Sequence, residues 1–187
     1  MKTSRQKMFS VAEFYQVMDK AFSTMKAVRN AREKGLMDDK LQTKIMLTVT
    51  DVNDCPLCRT FHTKNAEKIG IDEDKINLLN NGFVLEVDEN TQAYIFAKRY
   101  AERDGEYSDE DWFDLVQKYG EEKARGILGI VRIVMMGNAL GIACNNFGKR
   151  MTFRPVKGSS FYKELSIILT LIPFMLFILI KNLFVGN

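Results

Sequence analysis

Apolar residues recur along most of this chain at intervals of three and four, the spacing that gathers side chains into one stripe of an α-helix. Ser10 and Glu13 have capping-box spacing. Val11, Phe14, Val17, Met18, Phe22 and Met25 then follow at helical intervals until Gly35, which predicts an amphipathic helix over about 11–34. Asp38 and Asp39 give a second acidic start, and Leu41, Ile45, Met46, Val49 and Val52 carry a helical stripe toward Cys55. The β-branched run Thr48-Val49-Thr50 makes a strand the competing reading, but apolar spacing and length favour helix. Pro56, whose missing N–H would be unpaired in a first turn anyway, opens a third helix running through Phe61, Ala66 and Ile69 to Gly70.

The same logic continues downstream. Asp72-Glu73-Asp74 starts a short helix ending near Asn80-Asn81-Gly82, and another covers about 90–103 before Asp104-Gly105. Ser108-Asp109-Glu110-Asp111 caps a helix through Trp112, Leu115 and Val116 to Gly120, and a long apolar helix spans about 121–147. Gly126, Gly129, Gly137 and Gly141 within it predict close helix packing, each at some cost to the helix itself. The expectation is an all-α fold with a helical domain over 1–148, a basic linker over 149–164 and a hydrophobic C-terminal helix over 165–187. The linker holds Lys149, Arg150, Arg154, Lys157 and Lys163 around Pro155 and Gly158-Ser159-Ser160.

The final segment has two readings. Leu165–Ile180 carries no charge, and its sixteen residues make roughly 24 Å of helix, short of a hydrocarbon core of about 30 Å. Extending it to Val185 gives twenty-one residues, enough to span if Lys181 snorkels and Pro173 only kinks the helix. The basic residues just before it fit a cytoplasmic flank, which predicts a membrane anchor with the rest of the chain in the cytoplasm. The competing reading is a helix that is hydrophobic all round because it is buried in a homo-oligomer interface.

Composition narrows the class. A chain of 187 residues, 46% hydrophobic and 27% charged, holds apolar material for one ordinary core. Its net charge of +3, from 27 basic and 24 acidic residues, is too balanced to imply a nucleic-acid partner. Three cysteines, two of them only two residues apart, do not make the framework that staples small secreted domains, so a reducing compartment fits better. Lys2, Arg5 and Lys7 begin the chain, yet Glu13, Gln16, Asp19 and Lys20 interrupt any apolar run behind them, so no secretory signal is expected. The ten methionines and thirteen phenylalanines read as core and gap-filling material.

The candidate chemistry lies at Cys55-Pro56-Leu57-Cys58-Arg59-Thr60-Phe61-His62. A thiolate attacks peroxides and disulfides far better than a thiol, and a helix N-terminus, with its unpaired N–H groups and dipole, stabilises it. Cys55 and Cys58 fall in the predicted first turn, near enough to close a disulfide. His62, the single histidine, lies four residues after Cys58 on the same helix face and can exchange a proton with that sulfur. Two other readings stay open at this point: cysteines that merely pack, and a zinc site, for which two Cys and one His leave a fourth ligand to find. Attached c-type haem is excluded because Arg59, not His, follows the second cysteine. Cys144, inside the long apolar helix, is expected to be an inert core residue.

These residues, with Ala66, Gly70 and the short helix near Ile76, resemble the core repeat of the carboxymuconolactone decarboxylase superfamily, in particular its alkylhydroperoxidase D-like members. The resemblance covers 35–82 well and the helices to 147 loosely. It implies an antioxidant thiol peroxidase in which Cys58 is the peroxidatic thiol, Cys55 the resolving thiol and His62 part of a proton relay. It also implies a hydroperoxide substrate, re-reduction by a lipoylated or thioredoxin-like dithiol protein, an oligomeric assembly, and no metal or other cofactor. The decarboxylase branch fits less well because its reaction does not depend on a redox CxxC. One departure stands out: the relay glutamate found twelve residues before the first cysteine is Thr43 here, which cannot accept a proton at neutral pH. On a continuous helix Asp54 would lie about 20° from the Thr43 direction and Asp51 about 80° from it, at about 100° per residue. Asp54 and Asp51 are therefore candidate relay acids, helix capping being the ordinary role for Asp54; an acid from another helix is the alternative.

Overall fold

A computed structural model describes residues 6–83 and 88–185. Lys2 and Arg5, named above, lie outside the described residues, as do the last two residues of the expected C-terminal helix. Among the described residues there are eight helices and no strand: α1 (Val11–Glu33), α2 (Asp39–Asn53), α3 (Pro56–Lys68), α4 (Glu73–Asn80), α5 (Thr91–Glu102), α6 (Asp109–Tyr119), α7 (Glu121–Met151) and α8 (Phe161–Val185). The helix reading of 48–50 holds, and the hydroxyls of the β-branched pair find partners: Thr48 donates to the Lys44 carbonyl and Thr50 to Asn138 of α7.

Local chemistry sets the ends. The Ser10 hydroxyl accepts the Glu13 N–H while the Glu13 carboxylate accepts the Ser10 N–H, closing the expected capping box. Asp38 caps α2, and Ser108 with Asp111 forms a second box on α6. The Asp111 carboxylate also receives Arg99 at 2.8 Å and Arg103, clamping α5 to α6.

α7 organises the molecule, packing against every other helix except α4. Two of its glycines explain how closely α1 lies on it. A Cβ at Gly126 would come within 2.6 Å of the Ala31 Cβ, and one at Gly129 within 2.3 Å of the Val28 Cγ2. Close packing was expected at Gly137 as well, but a Cβ there meets nothing within 4 Å. Phe14, Met18, Ile45, Leu47, Tyr94 and Ile127 are among the fully buried side chains of the single core.

The expected linker over 149–164 is shorter. α7 continues to Met151 and α8 begins at Phe161, so Lys149 and Arg150 belong to the last turn of α7 and Lys163 to the first turn of α8. Basic residues suit a helix C-terminus, where they oppose the dipole. Arg150 has a further reason to be there: it makes a bidentate pair at 2.8 and 2.9 Å with Glu164, a buried carboxylate of α8.

α8 passes through Pro173 without ending and lies along α1 and α7. Tyr15 of α1 meets Phe174 edge-on at 5.2 Å, and Lys181 pairs with Asp19 of α1 at 2.7 and 2.9 Å. Among the described residues two helices are long and apolar enough to cross a membrane, but they differ in surroundings. The most apolar stretch of α7 is 61% buried, as a core helix should be, whereas that of α8 is only 17% buried. Leu169, Ile172, Leu176, Phe177 and Ile180 stand exposed on it.

Candidate redox site

The turn between α2 and α3 builds the site. α2 stops because Asp54 adopts the left-handed conformation at φ 51°, which aspartate tolerates better than most residues. Cys55 follows in extended backbone as the N-cap of α3, its own N–H bonded to the Thr50 carbonyl at 3.4 Å, and Pro56 takes the first helical position. The Cys58 N–H then points back at the Cys55 Sγ, 3.3 Å away. This is the helix N-terminal donor that the sequence places beside the sulfurs, and it falls on Cys55.

Cys55 and Cys58 form a disulfide, with Cα atoms 5.3 Å apart. Cys55 is fully buried and Cys58 is 9% exposed, so the second sulfur is the one nearer solvent. Both sulfurs lie against α7 at Gly141. A Cβ there would fall 2.5 Å from the Cys58 Sγ and 3.0 Å from the Cys55 Sγ. Beside the bridge the buried Thr50 hydroxyl meets Asn138 Oδ1 at 3.1 Å, tying the end of α2 to α7.

His62 shares α3 with Cys58, one turn further on, and no hydrogen bond joins them among the described residues. Its Nδ1 is buried without a partner, and burial holds its pKa below the ordinary histidine value. The exposed Phe61 packs edge-on against it at 5.4 Å.

The helix geometry assumed for Asp54 does not hold. Because α2 ends at Asn53, the continuous-helix angle to Asp54 does not apply. Asp54 and the buried Asp51 each lie 3.4 Å from Arg59 of α3, whose other nitrogen donates to the Asn80 carbonyl. Beside Thr43 stands Asn65 of α3, whose amide donates to the buried Thr43 hydroxyl at 3.1 Å. Asn65 follows His62 by three residues, so Cys58, His62 and Asn65 run down neighbouring positions of one helix.

Among the described residues no group of three or more His, Cys, Asp or Glu side chains is arranged to hold a metal ion. Cys144 is a free thiol, half-buried on α7, and burial raises its pKa, which suits an inert residue.

Arg59 and Asn65 carry parts of this arrangement that sequence reasoning left unassigned, though Asn65 was legible in principle, since it continues the His62 stripe by one turn. The close packing expected at Gly141 is present, but its partners were not legible, because the sulfurs are about eighty residues away in the chain. In comparisons with known proteins, no family model, no curated protein and no solved structure matches the chain.

Proposed function

We propose that the chain is a thiol–disulfide oxidoreductase of the alkylhydroperoxidase D-like kind that reduces hydroperoxides through Cys58 and Cys55. The observation that carries this reading is the Cys55–Cys58 disulfide at the N-terminus of α3, one turn from the only histidine, whose buried Nδ1 has no hydrogen-bond partner among the described residues. A bridge that closes so short a loop constrains the unfolded chain little, contributing about 2 kcal/mol on the chain-entropy scale, so stapling alone is a weak reason for it. The cycle balances as follows. The Cys58 thiolate attacks a peroxide oxygen, forming an S–O bond and breaking O–O, and the departing alkoxide takes a proton to leave as an alcohol. The Cys55 sulfur then attacks the sulfenic acid, forming the disulfide and releasing water. A dithiol protein, lipoylated or thioredoxin-like, returns two electrons and two protons. Cys58 is assigned the attack because it is the less buried sulfur, and neutral His62 is the acceptor for its proton once the bridge opens.

Stopped-flow peroxide titration of the reduced protein, with and without dithiol donors, tests the reading. Cys58→Ser abolishes peroxide consumption, whereas Cys55→Ser leaves a trapped sulfenic acid or mixed disulfide. Full turnover by Cys58→Ser overturns the roles. The burial of both sulfurs favours a second reading, a structural bridge without turnover; it predicts a wild-type protein that consumes no peroxide and whose bridge resists dithiol proteins.

We also propose that α8 holds this domain at a membrane, with its exposed apolar face against lipid. Ion pairs fix α8 to the body near both ends, through Glu164 and Lys181, so the helix lies along the bilayer surface instead of crossing it. Exposed Lys157 and Lys163 beside its start favour an anionic surface. Vesicle flotation of the full chain tests this. Wild type floats, and Leu169→Glu combined with Leu176→Glu, both on the exposed face, stays in solution. A wild type that remains in solution as a defined oligomer, and becomes monomeric on the double substitution, assigns the face to a second copy instead.

A further inference from the structure

We infer that Gly141 is a positioning residue: the space left by its missing side chain in α7 is the seat of the Cys55–Cys58 bridge, and it sets the balance between disulfide and dithiol. The inference rests on the redox reading above and deepens it.

The seat is defined by contact. A methyl group at 141 would stand 2.5 Å from the Cys58 Sγ and 3.0 Å from the Cys55 Sγ, where nonbonded atoms rest at about 3.5–4.0 Å. Neither side is free to retreat. α7 is held further along its length, where Gly126 and Gly129 let α1 pack closely against it through Ala31 and Val28. The start of α3 is held by the Cys55 N–H on the Thr50 carbonyl, and α2 is in turn tied to α7 through Thr50 and Asn138. A rigid, close-packed surround turns one added methyl into strain that cannot be relaxed away.

That strain does not fall equally on the two redox states. In the disulfide the sulfurs are bonded to each other and neither can turn about its own χ1. In the dithiol each side chain rotates independently, so the Cys58 sulfur can leave the seat for another staggered position. A methyl at 141 therefore disfavours the oxidised form more than the reduced one. The exchange that reads this is balanced: the bridge plus two glutathione molecules gives two cysteine thiols plus glutathione disulfide, two electrons and two protons passing to the protein.

α7 supplies its own control. Gly137 lies one turn earlier in the same helix, and a Cβ there meets nothing within 4 Å. Glycine-to-alanine raises helix propensity equally at both positions, so a difference between them reports the seat and not the helix.

The full-length protein is equilibrated in glutathione redox buffers and the fraction oxidised is read by alkylation and mass. Gly141→Ala is expected to lower the oxidation equilibrium constant at least tenfold, a shift of about 30 mV toward more oxidising potential. Gly137→Ala is expected to stay within about twofold of wild type. A folded Gly141→Ala protein with the wild-type constant overturns the inference. Where Gly141→Ala does not fold, the same substitution is placed in a Cys55→Ala, Cys58→Ala background. There it is expected to fold and to melt no lower than its parent, and an equal loss of folding without the sulfurs overturns the seat. A wild type that shows no dithiol–disulfide transition in any buffer overturns the redox reading, while the sulfur-free comparison still tests the seat.

Discussion

At the scale of single residues, His62 is the side chain whose surroundings say most about its protonation. Burial without a hydrogen-bond partner for Nδ1 lowers its pKa, so the folded protein holds it neutral near pH 7. A lowered value means that the unfolded chain binds the proton first. The stability tied to neutral His62 is therefore present above the unfolded value, about 6.5, and is lost as pH falls through the folded one. His62→Ala removes this acid-side loss, so thermal melts of the variant vary less with pH just below about 6.5. At neutral pH the same variant keeps its fold and loses peroxide reduction by at least about 100-fold, the lower end of general acid–base assistance. A variant with wild-type turnover would show that the proton goes elsewhere. The closeness of Cys55 and Cys58 was legible because both sit at the first turn of one helix, where spacing alone brings the sulfurs together. The angle reckoned for Asp54 assumed a helix that runs on, but Asp54 is left-handed, α2 stops before it, and its carboxylate lies 3.4 Å from Arg59.

At the scale of elements, capping and charge explain where helices start and what joins them. Asp111 closes the capping box of α6 and receives Arg99 of α5 and Arg103, the residue that ends it. Burial alone would raise its pKa, but hydrogen bonds from Ser108, Arg99 and Arg103 outweigh it and bring the carboxyl down to about 2. Its contribution is present above the unfolded aspartate value of about 3.9 and disappears as pH falls through the folded one. Asp111→Asn keeps a capping oxygen but not the charge, and costs about 2 kcal/mol at neutral pH. Denaturant midpoints of the variant and the wild type are expected to converge as pH approaches about 2, and a constant gap across the acid range would place the loss in packing instead. The capped and glycine-stopped boundaries from α1 to the start of α7 were readable from the sequence to within a few residues, whereas the start of α8 after Ser160 was placed four residues late. The end of α7 was misplaced because Arg150 continues the helix to reach Glu164, a partner fourteen residues on that periodicity does not reveal.

At the scale of the whole molecule, α7 joins the two proposed activities, since one helix forms the wall behind the disulfide and the bed on which α8 lies. The all-helical class was legible from spacing throughout, but the order of packing was not, because the contacts that decide it join distant parts of the chain. Among the described residues, α1 packs against α7 and α8 and no other helix. A chain made from its N-terminus therefore completes its first helix long before the surface that covers that helix has been synthesised. Bundles usually fold fast because neighbours in sequence are neighbours in space. Here the first helix waits with Phe14, Val17, Met18 and Ala21 unburied until α7 emerges. The consequence is a folding step gated by completion of the chain, with nascent forms that lack α7 exposed to premature association.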